Sequence, residues 1–233
     1  MSDIFTVSFS GVVMAFCALA LGFFSLWRYR HYKANPANSV NYYYWTASAL
    51  VTFGFTLYLI PGFIEVSRIS DTVIILAIAA TVINVTGFGY FFLIPIYSWL
   101  SKEMFVLGSH IIGFCVFGIA AMLAITPPAP IWMDGIIHWR FAGLVALAIL
   151  TFMGAAFTSN VFLLLQHFKR LSELSHLNVV ALLGTFLLTG FGGGYLYAGD
   201  NHEILRIAYI SLGVGLFFVF WSALKNFFGA KIR

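Results

Sequence analysis

The chain has 233 residues, of which 61% are hydrophobic and only 9% charged. A water-soluble domain carries about 25% charged residues, so this composition excludes an ordinary soluble domain, a disordered chain and a nucleic-acid binder. The basic surplus, 12 Lys and Arg against 8 Asp and Glu, is explained below by where the charges fall, without an anionic partner.

The charged residues leave seven long charge-free intervals, 4–27, 34–64, 72–101, 104–133, 141–168, 174–199 and 207–224. A bilayer core about 30 Å thick needs about 20 apolar residues in a helix. Backbone in lipid must satisfy its own hydrogen bonds, and runs such as Phe141–Leu150 lack the alternation of barrel strands. The intervals therefore predict an all-α integral membrane protein with seven transmembrane helices over 4–27, 42–63, 73–97, 104–126, 137–165, 177–197 and 204–225. No predicted loop is long enough to form a domain of its own, so residues 1–233 read as a single seven-helix domain.

Helix one is preceded by Asp3 and followed by Arg28 and Arg30, the reverse of a cleavable signal peptide, so it is expected to remain as a span. Tyr42, Tyr43, Tyr44 and Trp45 open helix two and predict an aromatic anchor at the membrane–water boundary. Within it Ser48, Thr52 and Thr56 recur four residues apart on one face. Asn84 lies near the middle of helix three, with Thr81 beside it. Helix four carries Ser109 and His110. The segment from Thr126 to Trp132 has three prolines in four positions and is expected to be a rigid non-helical loop. Helix five has a small-residue stripe of Ala148, Thr151, Ala155 and Thr158, then Asn160. Helix six ends in a glycine-rich run, 190–194, whose Gly190 and Gly194 form a GxxxG pattern expected to allow a close helix crossing.

Lys and Arg divide nine against three between alternate loops. Arg28, Arg30, Lys33, Lys102, Lys169, Arg170, Lys225, Lys231 and Arg233 fall on one side; Arg68, Arg140 and Arg206 fall on the other. The positive-inside rule then places the N-terminus outside and the C-terminus in the cytoplasm. The expected location is the plasma (inner) membrane, with lipid as the surrounding partner and a homo-oligomer or a partner membrane subunit as further possibilities.

The chain lacks HExxH, GxSxG, P-loop and CxxC patterns, and no Asp or Glu falls inside a predicted helix, so nothing in it points to an enzyme or a carboxylate proton relay. Haem would need two facing histidines; His110 is the one inside a helix, with His167 and His176 its conceivable mates, and helix-end hydrogen bonding is the simpler reading. No metal site is expected. The expected site is a pocket facing the bundle axis: Asn84, Ser109, His110 and Asn160 supply its polar end, with Thr52 and Thr56 as further polar lining. The 26 Phe, 11 Tyr and 6 Trp supply aromatic walls that suit a flat apolar ligand such as a quinone or pigment. The competing reading is purely structural, with small residues and hydroxyls gluing helices together.

Seven helices, an outside N-terminus and very short loops resemble the layout of microbial rhodopsins, and equally the seven-helix sensor modules of bacterial receptors. The rhodopsin resemblance implies a ligand inside the bundle. It stops at helix seven, where Ile210–Phe217 offers no mid-membrane lysine and Lys225 lies at the end, so retinal held by a Schiff base is not expected. Three classes remain: a ligand-binding or sensory module, a transporter or channel for a small neutral solute, and an accessory subunit that carries haem or a pigment.

Overall fold

The computed structural model describes residues 8–62, 71–133, 136–167, 176–199 and 201–229. Seven helices follow one another: α1 (Phe9–Ala34), α2 (Ser39–Gly62), α3 (Asp71–Trp99), α4 (Lys102–Ile125), α5 (Gly143–His167), α6 (His176–Ala198) and α7 (His202–Gly229). Between α4 and α5 lies a hairpin of β1 (Ala129–Met133) and β2 (Ile136–Arg140). Residues 4–7, residue 63 and the basic 169–175 segment of the expected topology lie outside the described residues.

Among the described residues, five helices are long and apolar enough to cross a membrane: α1, α3 and α4 in full, α5 over Gly143–Leu163 and α7 over His202–Trp221. The chain therefore reads as membrane-embedded. Its perimeter is apolar too, with Phe114, Phe117, Ile125, Leu144 and Leu187 each more than 70% exposed, a surface that suits lipid rather than water.

Local chemistry sets the helix ends. Ser8 caps α1, its Oγ accepting the Gly11 N–H at 3.0 Å. Ser101 does the same for α4 from Met104. The Asn201 side chain takes the Glu203 and Ile204 N–H groups at the start of α7, satisfying donors that a helix start leaves free. α1 runs one and a half turns past Arg28 before Asn35 ends it, further than the expected boundary at 27, because a charge at a membrane boundary does not stop a helix.

The expected start of α5 at residue 137 is corrected. Pro127, Pro128 and Pro130 interrupt helix as anticipated, but the chain then pairs with itself, Ile131 opposite His138 and Trp132 opposite Ile137. Ile136, Ile137, His138 and Trp139 are all buried. Two side chains pin β2 to the bundle. The Ile137 N–H donates to Ser10 Oγ of α1 at 3.0 Å, and Tyr209 of α7 donates its hydroxyl to the Ile137 carbonyl at 3.3 Å. A strand can sit against the end of an apolar bundle only when its backbone groups are met in this way.

Helix contacts run α1 to α2, α2 to α3, α3 to α5, α5 to α6, α6 to α7, and from α7 back to α1. Six helices thus form a closed ring, with α4 packed outside it against α3 and only lightly against α5. The expected close crossing of α6 is displaced by two residues. Gly190 and Gly194 face α5, where a Cβ would meet Phe157 at 3.4 Å and Leu150 at 3.6 Å, ordinary contact distances. The tight approach is at Gly192, where a Cβ would come within 2.5 Å of the Ala208 carbonyl and 2.8 Å of the Leu212 nitrogen on α7.

Candidate functional site

The ring surrounds a partly open cavity of about 630 Å³, lined from α1, α2, α3, β2, α5, α6 and α7. It reaches along α1 from Ser10 to Arg28, about 27 Å at 1.5 Å per residue, and is therefore an elongated slot. Its walls are mostly aromatic and aliphatic: Phe24, Phe55, Phe88, Phe91, Trp139, Phe157 and Leu216 all contribute. β2 covers one end through Ile137, His138 and Trp139.

Two polar groups of different character interrupt the apolar wall. The first is near mid-length. Asn84, 2% exposed, sits where α3 passes α2; a Cβ on Gly54 would overlap its carboxamide, so glycine at 54 is what admits the side chain. The Tyr197 hydroxyl of α6 sits in hydrogen-bonding reach of both Asn84 and Tyr58. Tyr58 is bonded to Thr81 as well, and Thr81 returns its own proton to the Ala77 carbonyl at 2.8 Å. This cluster ties α2, α3 and α6 together, and it leaves the Asn84 Oδ1 with no hydrogen bond.

The second group lies about 10 Å further along, since Asn160 bonds the carbonyl of Phe91, two turns beyond Asn84 on α3. The Asn160 amide nitrogen donates to Phe91 at 2.9 Å and to Ala156 in its own helix at 2.8 Å. Both partners are acceptors, which fixes the orientation of the carboxamide. Its Oδ1 is buried without a hydrogen bond, and Asn160 lines the cavity at 3% exposure. On the opposite wall, Arg28 lies over three aromatic rings, with its guanidinium carbon 4.5 Å from the Trp27 ring centre, 4.6 Å from Tyr44 and 5.2 Å from Phe24. One of its terminal nitrogens donates to Asn41 Oδ1 at 3.2 Å, while its Nε is buried without a partner. The Tyr44 ring touches Phe91, and Phe91 touches Phe157, so one aromatic belt joins Arg28 to the Asn160 side. Among the described residues that line the cavity, Arg28 is the sole fully charged one, and no Asp or Glu is present.

Of the residues singled out from sequence, Asn84 and Asn160 line the cavity. Ser109 and His110 are not brought to it. Ser109 is partly exposed, His110 is exposed, and each donates to the carbonyl of Val106 in its own helix at 2.7 Å. The physical reason is that α5 joins the ring through α3, which leaves α4 outside and its polar residues without a route to the interior. Thr52 faces α1 at Gly22, and Thr56 is exposed; both bond back to their own helix, to the Ser48 and Thr52 carbonyls. On α5, Thr151, Ala155 and Thr158 are exposed, so that stripe faces away from the neighbouring helices. The His167 and His176 side chains lie outside the described residues, and among the described residues no three His, Cys, Asp or Glu come together.

Arg28 and His138 escaped the sequence reading. Arg28 counts as a topology charge when read alone, although Phe24 and Trp27, four and one residues earlier, were the available signal of an aromatic setting. His138 sits on a strand whose apolar neighbours disguise it as the beginning of a helix. No family model matches this chain, and no curated protein matches it in sequence.

Proposed function

We propose that the protein is a seven-span membrane protein, with α1 entering from the outside, that holds a small and mostly apolar ligand inside its helix ring and acts as a binding or sensory module. The observation that carries this reading is the elongated cavity whose mostly apolar wall includes Asn160, its Oδ1 buried without a hydrogen bond. An unsatisfied carbonyl in an apolar interior costs about 1–3 kcal/mol, and a bound ligand or its ordered water removes that cost. The volume falls within the range of small-molecule sites. Passage of a neutral solute is the weaker reading, because so apolar a wall favours retention over transit.

The test is mass spectrometry of the organic extract, with an absorbance scan of the intact protein to reveal haem or pigment. Gly193 lines the cavity, and a Cβ added there meets nothing within 4 Å, so the side chain of Gly193→Leu starts into open space. A compound recovered near one per wild-type chain and depleted in Gly193→Leu is the expected result. Identical extracts from the two proteins would remove the reading.

A further inference from the structure

Resting on that reading and going on to the ligand's chemistry, we infer that the cavity takes a single-chain amphiphile with an acidic head, its carboxylate at Arg28 and its chain in the aromatic slot leading toward β2. Three observations converge on this class.

The first is the charge. Arg28 is the one permanent cation among the described lining residues, its Nε is buried without a hydrogen bond, and a terminal nitrogen donates to a neutral carboxamide, that of Asn41. The Trp27 and Tyr44 ring faces stabilise the cation partly, but among the described residues that line the cavity no carboxylate stands as its counter-ion. Its planar fork matches a carboxylate.

The second is shape. The slot runs about 27 Å along α1. One extended hydrocarbon chain matches that length. The third is the arrangement of polar groups. The aromatic belt of Tyr44, Phe91 and Phe157 puts an acceptor, Asn160 Oδ1, at the same end as the Arg28 donor. A carboxylate accepts from Arg28, and the water that hydrates it donates to Asn160. The wall between this end and Asn84 is mostly apolar, and its Ser48 hydroxyl is taken up by the Tyr44 carbonyl at 2.7 Å, which suits a hydrocarbon chain.

The experiment is native mass spectrometry of the delipidated protein titrated with oleate and, separately, with oleyl alcohol, which has the same chain without the charge. Wild type should retain one oleate and hold it more tightly than the alcohol. Arg28→Gln should weaken oleate by roughly 10- to 100-fold, the worth of a charge-assisted bond, and leave the alcohol unchanged. Gly193→Leu should weaken both. Equal retention of acid and alcohol by wild type, with both lost in Gly193→Leu, would overturn the acidic head and leave the cavity reading standing. Failure of wild type to retain either probe, or retention unaffected by Gly193→Leu, would overturn both. The comparison of the two probes on wild type decides the matter even if Arg28→Gln does not fold.

Discussion

Several hydroxyls among the described residues satisfy themselves locally. Ser48, Thr52, Thr56, Thr81, Thr86 and Ser98 each donate to a carbonyl four residues earlier, so a serine or threonine stripe read from sequence says little about which helices meet. Asparagine differs, because its carboxamide has more bonding capacity than one carbonyl can absorb. That is why Asn84 and Asn160 were legible as interior groups from sequence and the threonines were not. The fit of Asn84 against Gly54 gives a sharp contrast. Gly54→Ala must displace the carboxamide and should cost about 1–3 kcal/mol, whereas Gly113→Ala, on the exposed side of α4 with nothing within 4 Å of the new Cβ, should be neutral or stabilising by up to about 1 kcal/mol. Melting temperatures in detergent measure both. Equal melting of the two variants would show that Asn84 has room to move.

At the scale of the element, charge-free intervals located every helix, because solvation forbids charges in hydrocarbon whatever the fold. They could not reveal the hairpin. Residues 136–150 contain one charge, Arg140, and the β-branched and aromatic residues of Ile136–Trp139 are as apolar as the helix that follows, so length and composition alone merge strand and helix. The position of α4 was also hidden, since sequence order makes α4 and α5 neighbours while packing seats α5 between α3 and α6 and leaves α4 outside the ring. β2 is held by two hydrogen bonds from distant helices, which makes its attachment testable. Ser10→Ala leaves the buried Ile137 N–H without its acceptor and should speed amide exchange across residues 136–140, with helix α3 unaffected. Exchange at wild-type rates would mean that pairing with β1 and the Tyr209 bond hold the strand without Ser10.

For the whole molecule, the apolar perimeter and the partly open slot describe a protein with lipid outside and a different apolar space within. Its orientation rests on the loop charges, and labelling decides it. In a Cys115→Ser background, which removes the exposed native thiol, Ala129→Cys should react with an impermeant maleimide on intact cells. Ala37→Cys should react only after permeabilisation; both positions are exposed. The reverse pattern would invert the topology.

The seam between α1 and α7 sets the order in which such a molecule can be made. Cys17 and Ala20 of α1 pack against Leu212 and Leu216 of α7, and Phe16 and Phe23 meet Phe217 and Phe220. These partners are nearly two hundred residues apart in the chain. At about 5–20 residues per second, the first helix waits roughly 10–40 s in the bilayer before its last neighbour is synthesised. During that interval the enclosure is a crescent open along one side, with the future lining in contact with lipid. The seam can close only once α7 has been made, so until then the cavity lacks one of its walls.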